Sequence, residues 1–235
     1  MKISVAMASY NGEKYIEEQI ESICQQLSQE DELVISDDGS TDNTRNIVTR
    51  MQKKYSIVKL IPGPQMGIAA NFSNAIANCT GNIIFLSDQD DIWVENKVKR
   101  VKAVFHNQKN IVLVLHRAVI YNGPTKSGIL FSNYRAGILN NILKSSYWGC
   151  CMAFRREFIN KYLPLDPNCI AHDQLIGLLA EKNKGTHFID DILILHRVHG
   201  DNKTKKLNML KKIAFRIKIA GDYVNAKKKS EIINK

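Results

Sequence analysis

The feature that most limits how this chain can fold is the alternation of short apolar runs with amphipathic stretches over its first hundred residues. Lys2–Ser9 is apolar and β-branched at its start, and Glu32–Ser36, Ser56–Ile61 and Asn82–Ser87 repeat the pattern. Between the first two, Glu13–Leu27 places apolar residues at Tyr15, Ile16, Ile20, Ile23, Cys24 and Leu27, which is helical spacing. Further helices are predicted from an Asp42 cap to about Lys54, over Gly67–Cys79, and over Glu95–His106. Strands that are apolar along their whole length are buried on both faces, and helices between them supply the cover. The predicted class is therefore α/β, a Rossmann-like and mostly parallel sheet flanked by helices.

In such sheets ligands sit at the carboxyl ends of the strands. Acids gather at two of those ends: Asp37-Asp38 after the second strand and Asp88-Gln89-Asp90-Asp91 after the fourth. Two carboxylates on alternate residues of a tight turn can present oxygens to a hard cation, which is commonly held by one or two carboxylates plus substrate phosphates. The ordinary alternative is an acidic loop or a helix cap, and Asp91 is expected to cap the helix that follows. The second half is less regular. Asn110–His116 reads as a strand, Tyr121–Arg135 as loop, Ser146–Phe154 as a strand, His172–Lys182 as a helix, and Thr186–Leu195 as one or two strands. No internal repeat or low-complexity linker appears, so one domain over 1–200 and a tail over 201–235 are expected.

Charge separates the same two parts. Of the formal net charge of +10, the segment Gly200–Lys235 carries +8, from eleven Lys/Arg against three acids. A nearly neutral body with a cationic tail argues against a whole-domain nucleic-acid binder and for a local contact with something anionic. The five cysteines (Cys24, Cys79, Cys150, Cys151 and Cys169) are odd in number and contain no CxxC, so neither a disulfide framework nor a zinc knuckle is expected. A reducing cytoplasm is the simplest compartment. Met1–Val5 runs into a strand pattern without an apolar leader, and no apolar run approaches the ~18 residues of a membrane span. His106, His116 and His187 read as structural or exposed.

Taken together, Ala8-Ser9-Tyr10-Asn11-Gly12, Asp37-Asp38-Gly39-Ser40-Thr41-Asp42, Ser87-Asp88-Gln89-Asp90-Asp91-Ile92-Trp93, Trp148-Gly149-Cys150 and His172-Asp173 occur in an order that resembles glycosyltransferase family 2, inverting enzymes of the GT-A fold. The resemblance covers about residues 1–200. It implies that Tyr10 stacks on the base of a nucleotide and that Asp38, with Asp37 beside it, accepts a hydrogen bond from the ring N–H of uracil or thymine. It implies contact of Asp88 with ribose or donor sugar, and Mn²⁺ or Mg²⁺ at Asp90 with Asp88, bridging the diphosphate. Gly67 and Asn71 fall where the family's nucleotide-side loop opens a helix. Asp173 takes the place of the general base that deprotonates the acceptor hydroxyl. The residue before it is His172, where the family more often has Glu. Trp93, Trp148, Gly149 and His172 are assigned to the acceptor side. Arg197-x-His199-Gly200-x-Asn202 resembles an element of related polysaccharide enzymes, with Arg197 as diphosphate partner and His199 as metal or phosphate ligand.

The implied reaction is transfer from a UDP-hexose or dTDP-rhamnose to a glycan hydroxyl, with a lipid-linked acceptor of cell-surface polysaccharide synthesis. In the tail, Leu207, Leu210, Ile213, Ala214, Ile217, Ala220 and Val224 form a helical stripe flanked by Lys211, Lys212, Arg216 and Lys218. Such a basic amphipathic helix suits an anionic membrane surface, here through 204–229 on the inner face of the cell membrane. Packing of the stripe on the catalytic domain or on a second subunit is the other expectation. Competing classes fare worse. A sugar-nucleotide pyrophosphorylase wants a basic Gly-rich first loop, and Ala8–Gly12 has no Lys or Arg. A dinucleotide oxidoreductase wants GxGxxG after the first strand, which is absent. A non-catalytic membrane-surface module with a degenerate nucleotide-sugar fold is the remaining alternative.

Overall fold

The computed structural model describes residues 1–122, 125–129, 134–182, 184–198 and 208–233. The elements run β1 (Ile3–Ser9), α1 (Ile16–Cys24), β2 (Glu32–Asp37), α2 (Thr44–Lys54), β3 (Val58–Pro62), α3 (Ile68–Ala77), β4 (Ile83–Ser87), β5 (Ile92–Trp93) and α4 (Lys97–Asn107). The second half continues with β6 (Leu113–Asn122), β7 (Thr125–Ile129), α5 (Ile138–Leu143), a 3₁₀ turn at Gly149–Cys151, β8 (Met152–Arg155), α6 (Arg156–Ile159), α7 (His172–Lys182), β9 (Thr186–Arg197) and α8 (Met209–Ile233).

One sheet runs β3-β2-β1-β4-β8-β6-β9-β5, with β7 beside β6. The β1/β2, β1/β4 and β2/β3 pairs are parallel, so the predicted βα units form one half as expected. The other half mixes directions: β8 is antiparallel to both β4 and β6, whereas β9 is parallel to β6. The region expected as loop after Tyr121 contributes β7, and the strand expected from Ser146 begins only at Met152, after the 3₁₀ turn.

Both faces of the sheet are covered. Ile3, Val5, Met7, Leu33, Ile35, Ile83 and Phe85 point to a core shared with α1, α2 and α4. The intervening Ala6, Val34, Ile84 and Leu86 point to a second core with α3 and α7. Alternate residues of each strand thus serve opposite cores, which is why the runs are apolar but for a few positions such as Ser4 in β1 and Lys59 in β3. Each fully buried large side chain here is worth about 1.5–3 kcal/mol.

The C-terminal helix forms as expected but turns a different face inward. Phe215, Ile219, Tyr223 and Ala226 pack against the α3/α7 core, and Asp222 accepts from the Ile170 N–H at 3.2 Å and from Lys218 Nζ at 2.6 Å. The predicted stripe is rotated outward: Leu210 is 77% and Ile217 70% exposed, with Ile213 and Val224 also open. Leu207 of that stripe lies outside the described residues. No helix among them is long and apolar enough to cross a membrane.

Candidate active site

Parallel register brings three strand ends level. Ser9 of β1 pairs with Asp37 of β2, and Met7 pairs with Ser87 of β4. Their loops form one wall of a cleft of about 1740 Å³. That is larger than the ~300–1,000 Å³ of a typical small-ligand pocket. The strand order reverses at β1, the place where α/β sheets open a crevice.

The two acids after β2 part company. Asp38 lines the cleft, and its oxygens accept from the backbone N–H of Gln65 (2.7 Å) and Gly67 (3.0 Å). A carboxylate offers about four acceptor directions, so two remain. Gly67 makes this approach at φ +91°, a left-handed conformation that a side chain resists. Asp37 faces the other way, a correction to the expectation that it joins the nucleotide side. It is 4% exposed and accepts from Ser9 Oγ (3.1 Å) and Ser40 N–H (3.0 Å), so it shapes the turn that carries Asp38. Asn71 lies at the cleft, but its amide donates to the Ser9 and Ser36 carbonyls at 3.2 and 2.9 Å, tying β1 to β2.

Gln89 fastens the β1 loop to the β4 loop. Its Oε1 accepts from Tyr10 N–H at 2.9 Å, and its Nε2 donates to Tyr10 O at 3.0 Å. A Cβ on Gly12 would sit 2.3 Å from that Oε1, so only glycine lets the amide reach. The Tyr10 side chain stands at the cleft rim, with the residue 48% exposed. Asp88 and Asp90 line the cleft beside it. Burial, then the carboxylates of Asp91 and Asp90, push the Asp88 carboxyl well above the usual range. An acid cluster with hard oxygen donors and a disfavoured negative charge is what a divalent cation relieves, so these residues fit Mn²⁺ or Mg²⁺.

Asp91 does not cap α4. It is fully buried, and its Oδ1 lies 2.9 Å from His196 Nδ1 and accepts from Arg197 N–H at 3.1 Å. Burial opposes a charge on His196, but Asp91 and Cys150 together outweigh it and lift the imidazole to about 11. Arg197 is also corrected. It does not line the cleft: its guanidinium donates to Asp90 O (3.0 Å) and Glu18 Oε2 (2.7 Å) and lies over the Tyr15 and Tyr121 rings. It braces the acidic loop from behind. His199 and Asn202 lie outside the described residues.

The opposite wall is helical. Asp173 is the second residue of α7, where the helix dipole favours a carboxylate, and it faces the cleft with His172, Trp148 and Gly149. His172 is nearly buried and stacks on Phe72 at 4.3 Å, and burial lowers its pKa. A Cβ on Gly149 would meet His172 Nε2 at 3.5 Å and Asp173 Cβ at 3.7 Å, ordinary contacts. Lys211, Phe215 and Lys218 of α8 complete this wall. Trp93 is not on it, against expectation. It is 3% exposed, packs on Phe85, and stacks under the buried Lys97 ammonium at 4.1 Å. Burial lowers Lys97 to about 8, and its Nζ holds the 3₁₀ turn by donating to Cys150 O at 2.9 Å.

Sequence reasoning assigned no role to Gln89, His196, Lys97 or the cleft-facing side of α8. Gln89 stood inside a recognised motif. Lys97 and His196 depend on pairings across 53 residues or more, and the α8 side depends on its packing against α7; no local pattern carries either.

Comparison with known proteins identifies the family and the fold. Residues 4–163 match the model of the family described as Glycosyl transferase family 2. The chain is 31% identical over 218 residues to an uncharacterised glycosyltransferase of Nostoc sp., covering 86% of this chain and 66% of that protein. It is 29% identical to the dTDP-rhamnosyl transferase RfbG of Shigella flexneri (84% and 73% covered). It is 27% identical to the UDP-Glc:alpha-D-GlcNAc-diphosphoundecaprenol beta-1,3-glucosyltransferase WfgD of Escherichia coli (94% and 86%). Among solved structures, S. aureus TarS 1–349 with UDP-GlcNAc superposes with a TM-score of 0.75 at 21% identity, over 98% of this chain and 70% of that one. The Pyrobaculum calidifontis mannosyltransferase with GDP-Man and Mn²⁺ gives 0.66 at 16% identity (97% and 73%). With its GT-A fold and strand-end acids in place, the chain belongs to glycosyl transferase family 2.

Proposed function

We propose that this chain is a metal-dependent inverting glycosyltransferase that moves a sugar from a UDP-hexose or dTDP-rhamnose to a hydroxyl of a lipid-linked glycan. The observation that carries the reading is convergence. Asp38, Asp88 and Asp90 from two strand ends and Asp173 from a helix on the opposite wall all line one cleft. Tyr10 stacks on the base. Asp38, its oxygens oriented by Gln65 and Gly67, accepts the ring N–H with a remaining lone pair. Asp88 receives the ribose or donor sugar, and Asp90 with Asp88 holds Mn²⁺ or Mg²⁺. When bound, that cation offsets the charge developing on the leaving nucleoside diphosphate. Asp173 takes the proton of the acceptor hydroxyl as its oxygen attacks the anomeric carbon from the face opposite the diphosphate, which inverts the centre.

The acceptor class follows from the helical wall and from the relatives. Lys211 and Lys218 line the cleft; the Lys218 ammonium is held by Asp222, so Lys211 is the cation suited to an anionic acceptor. Next to them, exposed Leu139 and Leu143 on α5 join Leu210, Ile213 and Ile217 on α8 in an apolar surface edged by basic residues. That surface suits the inner face of a cell membrane, where basic residues gain about 1 kcal/mol each near anionic lipid. The glucosyltransferase relative is named for a diphosphoundecaprenol acceptor, and the rhamnosyl relative for a dTDP donor.

The test is release of UDP or dTDP from a panel of nucleotide sugars, with Mn²⁺ and a polyprenyl-diphosphate-linked sugar as acceptor. The expected result is metal-dependent release with one donor, strongly reduced in Asp90→Ala and Asp173→Asn. Failure of every donor, with anionic vesicles still bound, would favour the non-catalytic surface module instead.

A further inference from the structure

A second group of side chains meets at the back of the cleft and is distinct in chemistry from the acids of the β4 loop. Asp91 ends that loop, Cys150 lies in the 3₁₀ turn, and His196 is near the end of β9. A carboxylate oxygen, the thiol sulfur and a ring nitrogen from these three lie within 4.8 Å of one another. Asp91 is fully buried, and its Oδ2 has no hydrogen-bond partner although it cannot reach water. An orphaned buried carboxylate oxygen costs stability unless something occupies its lone pairs. Cys150 and His196 line the cleft while Asp91 does not, so the group is closed at the back and open at the front.

We infer that Asp91, Cys150 and His196 form a binding site for a thiophilic divalent cation, of which Zn²⁺ is the fitting one. The donor set is one sulfur, one nitrogen and one oxygen, a mixture that suits zinc and not Mg²⁺ or Mn²⁺, which prefer oxygen alone. Zinc with bonds of roughly 2.0–2.3 Å sets its ligand atoms roughly 3.3–3.6 Å apart, so no pair of these atoms needs to close by much more than about 1 Å. Three protein ligands with a fourth position facing a cleft is the arrangement of accessible zinc sites. Binding displaces the proton of the thiol and any proton on the coordinating ring nitrogen, which leave to solvent. The cleft would then sort cations by hardness, with oxygen donors at Asp88 and Asp90 and the mixed set one residue further on.

Co²⁺, which takes zinc positions and reports thiolate ligation by a charge-transfer absorption in the near ultraviolet, is the probe. Titrated into the full chain with saturating Mg²⁺ present, it should give that absorption, saturating at one equivalent and reversed by Zn²⁺. Cys150→Ala should abolish it, and His196→Ala should weaken Zn²⁺ binding at least tenfold in calorimetry. Cys150→Ser, nearly isosteric, serves should the alanine variant not fold. No absorption, or one that persists in the Cys150 variants, overturns the site. The readout needs no turnover. A chain without transferase activity that gives the absorption keeps this site and loses the function proposed above, and an active chain without it does the reverse.

Discussion

The two walls of the cleft are held by different means. On the sheet wall, Asp38 and Asp88 stand at ends of strands in parallel register, and a neighbouring loop reaches across to each loop: Gln65 and Gly67 to Asp38, Gln89 to Tyr10. On the helical wall, Asp173 stands in the first turn of α7, and its neighbours in the cleft come from the 145–150 segment and from α8, far apart in sequence. The first wall is assembled by repetition of one βα unit. The second is assembled by packing, with Lys97 and Asp222 as ties between distant segments. A substitution on the sheet wall should therefore disturb ligand placement sharply, and one on the helical wall should disturb it by degree, apart from the reacting group itself.

The largest effects should come from the reacting groups, and they should differ in kind. Asp173→Asn should lower kcat by roughly 10²–10⁴-fold with the donor KM unchanged, as loss of a general base does. Asp90→Ala should raise the donor KM as well and shift the metal dependence. Steady-state kinetics in donor and acceptor separate the two, and identical profiles would collapse the distinction between the walls.

Two glycines sharpen it further. Gly12→Ala puts a Cβ into the Gln89 amide, so the clamp on Tyr10 opens and the donor KM should rise by about tenfold or more (a loss of ~1.4 kcal/mol). Gly149→Ala meets nothing closer than 3.5 Å and should leave the donor KM unchanged. A smaller effect is expected on α8. Lys211→Glu should raise the acceptor KM several-fold, and Ile213→Glu with Ile217→Glu should weaken binding to anionic vesicles in a flotation assay while donor kinetics stay as they were.

The smallest effect on activity, and a purely structural one, is expected at the far end of the sheet. Glu32 is buried, and although burial alone would raise it, bonds from Lys59, Ser4 and Thr80 hold its carboxyl down at about 2, against an ordinary 4.5. A depressed carboxylate adds stability that is fully present above pH 4.5 and is lost as pH falls toward 2. Glu32→Gln should therefore cost up to about 3 kcal/mol in urea unfolding at pH 6 and much less at pH 3, with activity at neutral pH retained. An equal loss at both pH values would remove the carboxylate's charge from the explanation.

How much of this was legible in the sequence follows the same division. The first four strands and four helices were readable because an apolar run between amphipathic stretches has few other ways to be buried. The acids that follow two of those strands were readable for the same reason. What the run of letters could not separate was Asp37 from Asp38, or a cleft tryptophan from a core one. Adjacent residues after a strand point to opposite sides, and which side is the cleft depends on the loop from 65 to 67. Trp93 sits in a motif that promises a ligand, yet β5 pairs with β9 and carries its ring into the core. The tail shows the limit most plainly. Its helix and its charge were evident, but its inward face is defined by Phe215, Ile219 and Tyr223 and not by the longer apolar stripe.

By itself the sequence determined the parallel half of the sheet, the level at which its acids emerge and the presence of a charged helix at the end, because these rest on local periodicity and on the burial of apolar runs. Only the tertiary structure decided which acids face the cleft, that Arg197 braces a loop instead of lining the cavity, and that Asp91, Cys150 and His196 meet. Those outcomes depend on contacts between segments tens of residues apart, and the energy of such a contact is settled by the packing of everything between them.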